Sequence, residues 1–298
     1  MKKHLFLILF CSSFVSAFAA DAVYPSDILH LVNWKITLPE DINPADNKAD
    51  EVKQLIDYKH DNYFFLTPEK DGVVFRAHAG GATTNNSGYP RSELRERKSD
   101  GSLDISWDSN DGNYHVMEIR QKITHLPEVK KHVVAAQIHD ANDDVCMLRL
   151  EGQKLFLEFG NKDADLSIDP NYQLGTAFNF KVIVHNNVMQ FYYNDELKHT
   201  KTLSFSGAYF KAGVYTQSSC QGSKKVQGEE CDAYGEVIIY SLSVYHGDTL
   251  LVTNIDKTTT SAEIAAYYNI LGTQLANEPK SGIYVVLYKN GKTKKMIK

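Results

Sequence analysis

The chain has 298 residues, 43% apolar and 23% charged, with a formal net charge of −5. That is enough apolar material for a packed core and a balance unlike that of a disordered chain. The negative total excludes long-range attraction to nucleic acid or any other polyanion, so an anionic ligand would have to be met by a local basic groove.

Residues 1–19 read as a secretory signal. Lys2, Lys3 and His4 make a basic start, residues 5–10 are apolar, and Ala17-Phe18-Ala19 supplies an A-x-A cleavage site. Cleavage is expected after Ala19, and loss of Lys2 and Lys3 takes the net charge to −7. Phe10 stands before Cys11 where a lipoprotein needs a small residue, which argues against lipidation. No apolar run is long enough to span a bilayer. The expected location is secreted, periplasmic or at the cell surface, with no membrane span.

Residues 20–247 read as one domain of short β-type runs. Examples are 72–76, 114–123, 132–138, 148–150, 155–159, 178–185, 188–193 and 237–245. Asp71-Gly72, Asp111-Gly112, Asn186-Asn187 and Asn194-Asp195 mark turns between them. Only 26–31 and 51–58 look helical. Many evenly spaced strands predict an all-β fold, a two-sheet β-jelly roll (a concanavalin-like sandwich) whose concave face holds an extended ligand. Residues 79–88, rich in Gly, Thr and Asn, are either a flap over that face or a long surface hairpin. A Thr/Ser-rich linker is expected over 248–262 and a small β module over 263–298.

Three segments carry the chemistry: Arg91-Ser92-Glu93-Leu94-Arg95, Gln137-Ile138-His139, and the run from Tyr209 to Gln217. Side chains on a strand alternate faces. One face therefore holds Arg91, Glu93, Arg95, Gln137, His139, Tyr209, Lys211, Tyr215 and Gln217. The other holds Leu94, Ile138, Phe210, Ala212 and Val214. Arg91, Arg95, Arg97, Lys98, Arg120 and Lys211 are the cations available for a basic groove.

That polar mixture suits removal of a proton beside a carboxylate in an acidic sugar. Elimination from a 4-linked uronate removes H5, expels the oxygen on C4, and needs the C6 carboxylate neutralised. Arg91 can grip a carboxylate through two parallel hydrogen bonds, and Gln137 can donate to the same group. His139, with a reference pKa near 6.5, is available as a neutral base around pH 7. Tyr215 offers a phenol to the leaving oxygen, or a phenolate as base. Lys211, Arg95, Tyr209 and Gln217 are candidate substrate contacts. Glu93 is either a substrate contact or an ion-pair partner of Arg95. Gly213 either leaves room for a sugar or marks a β-bulge.

Hydrolysis of the same bond needs two flanking carboxyl groups, and Glu93 and Glu96 alternate to opposite faces. A binding module has no need of His139 together with Tyr215. His115, His125, His132, His185, His199 and His246 receive no role. Cys220 and Cys231 bracket a polar, Gly-containing loop and are expected to form a disulfide closing a hairpin, worth about 3 kcal/mol in the chain-entropy model. Cys146, among apolar neighbours, is expected to be a buried thiol. No C-x-x-C pair or histidine cluster is present, so no metal or other cofactor is expected.

The three motifs, in this order, resemble polysaccharide lyase family 7, the alginate lyases, whose patterns are R-[ST]-E-L-R, Q-[IV]-H and Y-x-K-A-G-x-Y-x-Q. The resemblance covers about 24–247. It implies a jelly roll that cleaves alginate by β-elimination, with His139 and Tyr215 as the proton-transfer pair and no required metal. Ile138 between Gln137 and His139 implies a preference for guluronate-containing or mixed blocks. The alternative substrate is another polyuronate such as glucuronan. The expected partner is thus an acidic polysaccharide, cut endolytically by a monomer. The Y-N-I-L-G turn, S-G-I-Y-V-V strand and K-T-K-K-M-I-K ending of the last residues resemble C-terminal sorting domains of type IX export.

Overall fold

The computed structural model describes residues 22–250 apart from 44 and 161, together with 264–269, 274–275, 277–279, 283–288 and 293–297. The expected signal segment and residues 251–262 of the expected linker lie outside them. The chain divides into two compact units after Leu250.

In the first unit the strands begin with β1 (Trp34–Thr37), β2 (Glu51–Val52), β3 (Phe64–Leu66), β4 (Val73–His78) and β5 (Arg91–Glu96). They continue with β6 (Tyr114–His125), β7 (His132–His139), β8 (Asp144–Glu151), β9 (Lys154–Phe159) and β10 (Leu166–Asp169). The last are β11 (Phe178–His185), β12 (Val188–Tyr193), β13 (Glu196–Thr202), β14 (Tyr209–Thr216) and β15 (Tyr234–Gly247). One eight-stranded sheet has the order β10-β9-β8-β7-β14-β5-β1-β2, and a seven-stranded sheet has the order β13-β12-β11-β6-β15-β4-β3. The two antiparallel sheets enclose one apolar core, the jelly-roll sandwich that matches the expected all-β fold.

The period-two pattern places the core. Leu94, Ile138, Phe210, Ala212 and Val214 point inward and are at most 2% exposed, each large apolar side chain contributing about 1.5–3 kcal/mol by leaving water. Two expected helices do not form. Residues 26–31 contain only a single 3-10 turn, Pro25–Asp27. Residues 51–58 begin with strand β2, which pairs Val52 with Ile36 and Glu51 with Thr37. A sheet edge needing partners outweighs the helical propensity of so short an acidic stretch.

Gly213 is a bulge residue, not a space for sugar. Its φ is +130°, and the β14–β7 register shifts between Ala212 and Tyr215. A Cβ there would lie 2.6 Å from the Ser92 carbonyl oxygen and 2.9 Å from the Phe75 ring, against the neighbouring strand and the core. Gly213→Ala is expected to cost about 1–3 kcal/mol, read as a lower denaturant midpoint.

The Cys220–Cys231 disulfide is present, with Cα atoms 5.1 Å apart. It closes a crossover loop rather than a hairpin, because β14 and β15 belong to different sheets. Cys146 is a buried free thiol.

His115 and His246, unassigned by sequence, join a chain that links the sheets. His246 Nε2 meets Glu96 of β5 at 2.6 Å, the two Nδ1 atoms lie 2.7 Å apart, and His115 Nε2 meets Asp111 at 3.0 Å. Trp107 stacks on His115 at 4.2 Å. Asp111 is four residues from His115, but His246 and Glu96 come from distant segments that no local spacing links to it.

The second unit has a four-stranded sheet. Its strands β16 (Ile264–Asn269), β17 (Gln274–Leu275), β18 (Ile283–Tyr288) and β19 (Thr293–Ile297) stand in the order β17-β16-β18-β19. Tyr284 and Val286 are buried on β18. Among the described residues, no helix is long and apolar enough to cross a membrane.

Candidate active site

The three motifs occupy adjacent strands, with β14 between β5 and β7. Register then sets side chains from distant parts of the chain side by side. Lys211 lies between Arg95 and Gln137, Tyr209 faces His139, Tyr215 faces Arg91, and Gly213 faces Glu93.

Glu93 is the hub of the polar face. It is 2% exposed, and it receives Arg91 Nη1 at 2.9 Å, Lys211 Nζ at 2.5 Å and the Gln137 side-chain amide. Burial works to raise its pKa, but Lys211, Arg91 and the hydrogen bonds outweigh this and hold it below the usual carboxylate value. Glu93 is therefore an anion that organises three donors. Its expected ion pair with Arg95 does not form. Arg95 instead lies 3.6 Å from Asp104 and stacks its guanidinium over the Tyr209 ring at 3.9 Å.

Lys211 is buried, and that burial together with Arg91 pushes its pKa down to about 8 against the pull of Glu93. Arg91 sits 3.8 Å over the Tyr215 ring, and its Nε is buried with no protein partner. The basic groove is narrower than expected. Arg120 belongs to β6 in the other sheet, where it lies 5.9 Å from the Tyr240 ring. Arg97 is spent on the Ser102 carbonyl at 3.0 Å, and Lys98 lies beyond the end of β5. Arg91, Arg95 and Lys211 remain.

His139 stacks against Tyr209 with ring centroids 5.3 Å apart. Its Nδ1 lies 2.8 Å from the Asp140 carbonyl oxygen. A carbonyl only accepts, so Nδ1 carries the proton and the neutral ring keeps its lone pair on Nε2. Burial lowers the His139 pKa and nearby Lys211 and Arg91 add to this, opposed by the Asp140 carbonyl and Glu93. The imidazole is thus neutral at pH 7 and able to take a proton.

The Tyr215 phenol oxygen lies 2.7 Å from Ser87 Oγ, and its ring meets Tyr89 edge-on at 6.3 Å. Lys130 Nζ donates to the Tyr89 hydroxyl at 2.7 Å. Gln217, one residue past β14, is buried, and its N–H donates to the His132 carbonyl at 3.0 Å. Ser87 also lines a cleft of about 710 Å³ with Glu40, His78, Thr83, Gln221 and Ser223. Sequence reasoning missed Ser87, Tyr89, Lys130, Asp104 and the Asp140 carbonyl. All five lie in connections, where no alternation rule points a side chain at the site. Asp140 follows His139 directly, yet it acts through a backbone atom.

The family model described as alginate lyase matches residues 29–246, a span that contains all three motifs and both cysteines of the disulfide. The chain belongs to the alginate lyase family. The solved structure of alginate lyase AlgAT5 from polysaccharide lyase family 7 is 49% identical, with a TM-score of 0.70 over 76% of this chain and 100% of that one. The alginate lyase of Corynebacterium sp. is 40% identical, with a TM-score of 0.70 over 76% of this chain and 99% of that one. An alginate lyase of Klebsiella pneumoniae is 39% identical over 85 residues, 26% of this chain and 27% of that protein, so this last match spans only about a quarter of that relative. In this family member the matched span stops before the second compact unit.

Proposed function

We propose that the protein depolymerises alginate by β-elimination, acting within the polymer and preferring guluronate or mixed blocks. One observation carries this reading. A neutral His139 with a free Nε2 shares a sheet face with the Tyr215 phenol and with Arg91, Lys211 and Gln137, gathered around Glu93.

The chemistry follows from these positions. Arg91, Lys211 and Gln137 neutralise the C6 carboxylate of the bound uronate, which lowers the cost of charge developing at C5. His139 Nε2 takes H5. The C5–H electron pair becomes the C4=C5 double bond, and the C4–O bond breaks with its pair on oxygen. Tyr215 protonates that oxygen. H5 faces opposite ways in mannuronate and guluronate, so the epimer bound sets whether His139 or Tyr215 is nearer to it. Arg95 and Tyr209 carry the adjoining sugars. A site on a sheet face supports binding along an extended chain and cleavage inside it, and Ile138 under the strand supports the guluronate preference. The signal-like start, the disulfide and the sorting-domain resemblance support export.

The test is the ultraviolet absorbance of the conjugated, unsaturated uronate product with purified protein on polyguluronate, polymannuronate and polyglucuronate. A rise on alginate blocks, steepest with guluronate, is expected. A rise on polyglucuronate alone would replace the substrate, and no rise with folded protein would leave only binding.

The titrating groups predict the pH profile. His139 must be neutral, and its pKa lies below 6.5, so the midpoint of the rise in kcat/KM lies below that value. Lys211 must be charged, so KM rises above about pH 8 as it deprotonates. A midpoint above 6.5 would contradict the assignment of His139.

A further inference from the structure

Ser87 lies in the segment between β4 and β5, 128 residues from Tyr215 in sequence, with its Oγ 2.7 Å from the phenol oxygen. The same Oγ accepts the Tyr89 N–H at 3.1 Å and lies 3.1 Å from the Tyr89 carbonyl oxygen. A hydroxyl carries one proton, and a carbonyl only accepts. Two arrangements are therefore open. In the first, Ser87 donates to the Tyr89 carbonyl and the phenol donates to Ser87. In the second, Ser87 donates to the phenol oxygen, and the phenol proton is free to point elsewhere.

The segment holding Ser87 is tied down on both flanks. Ala79 N–H donates to the Ala233 carbonyl at 2.7 Å, Gly80 N–H to Cys231 at 2.8 Å, and Cys220 N–H to Ala79 at 3.1 Å. On the other side Ala82 N–H donates to the Pro39 carbonyl at 3.1 Å, and Ala49 N–H to Thr83 at 3.0 Å. At Gly88 a Cβ would lie 2.3 Å from Lys224 Cγ, so the backbone there runs directly against the disulfide loop. Backbone bonds thus hold residues 79–83, and the 79–88 segment is a crossover rather than a hairpin because β4 and β5 belong to different sheets. A local turn cap would explain the bonds to Tyr89 but not the contact with Tyr215.

We propose that Ser87 is a positioning residue for Tyr215, its hydroxyl turning from the Tyr89 carbonyl to the Tyr215 oxygen as the phenol gives up its proton. This rests on the reading of Tyr215 as the acid. In the reaction His139 takes H5, the C4–O bond breaks, and the Tyr215 proton passes to the leaving oxygen. The phenolate left behind then accepts the Ser87 O–H, beside the Arg91 guanidinium over its ring. The proton taken by His139 then returns through water to the phenolate, which restores both groups. No other reactant is consumed. That turn, from the first arrangement to the second, frees the phenol proton from Ser87 and aims it at the leaving oxygen.

The test is steady-state kinetics of Ser87→Ala, Ser87→Thr and Tyr215→Phe on polyguluronate, read by product absorbance. Ser87→Ala is expected to lower kcat about 10–100-fold with KM within about twofold, and Ser87→Thr to recover most of the loss because it keeps the hydroxyl. An unchanged kcat in Ser87→Ala overturns the inference. So does a rise in KM alone, which would mark a sugar contact, or an equal loss in both variants, which would mark packing. If Tyr215→Phe keeps the wild-type kcat, the acid assignment itself falls. If Tyr215→Phe is inactive and Ser87→Ala is normal, only the role of Ser87 falls.

Discussion

His139→Ala and Tyr215→Phe are each expected to lower kcat about 10²–10⁴-fold, the range for loss of a positioned general base or acid. Without His139, the lone pair aimed from Nε2 is gone, and water in its place is a far weaker base for a proton beside a carboxylate. Without the Tyr215 hydroxyl, the leaving oxygen departs as an alkoxide. Neither change opens the core, since both side chains lie on the outer face and the underside of each strand is unaltered. Denaturation midpoints should therefore stay close to wild type. Product absorbance on polyguluronate and polymannuronate measures both losses, and the ratio between the two substrates reports which residue serves each epimer. Retention of near wild-type kcat by either variant would remove that residue from the mechanism.

Glu93→Ala is expected to lower the free energy of unfolding by about 3–5 kcal/mol, the cost of leaving a buried partner uncompensated, and to abolish detectable cleavage. Arg91, Lys211 and Gln137 all converge on this carboxylate, so its removal leaves two cations buried against each other. Burial and Arg91 already push the Lys211 pKa down, and Glu93 opposes them. With Glu93 gone, Lys211 deprotonates below its present value of about 8, and the site loses a charge at neutral pH. Glu93→Gln keeps the shape without the charge and should shift the KM rise to lower pH. Because the folded pKa of Glu93 is held below 4.5, its stabilisation is present above about pH 4.5 and is lost as pH falls through the folded value. Urea titrations at several pH values measure this. A Glu93→Ala protein as stable as wild type at pH 7 would show that the hub is not what holds these side chains.

The polar face of the site is legible in the residue order alone, because period-two alternation is a local property of extended backbone. Arg91, Gln137, His139, Lys211 and Tyr215 separate from Leu94, Ile138, Phe210, Ala212 and Val214 by counting. Partnership is not legible in this way. Glu93 is two residues from both Arg91 and Arg95 in sequence, and only the tilt of the side chains and the place of Lys211 on the next strand decide that Arg91 is its partner. Arg120 looks equivalent to Arg91 by composition, yet its strand belongs to the opposite sheet. Gly213 is ambiguous in sequence because a missing side chain leaves no sign of whether sugar, backbone or core would have filled its place. His115 and His246 stand 131 residues apart and meet only because β6 and β15 are neighbours.

By itself, then, the sequence determined the β-rich class, the division of each strand into a packed and a polar side, the three motifs and the disulfide partners. These follow from short-range geometry and from residue chemistry that does not depend on the rest of the chain. The tertiary structure decided strand order and register, and with them the Glu93 hub, the hydrogen bond that fixes the His139 tautomer, the bulge at Gly213 and the contact of Ser87 with Tyr215. Each of those depends on which distant segment lies within a few ångströms, and that is set by how the two sheets close over one shared core.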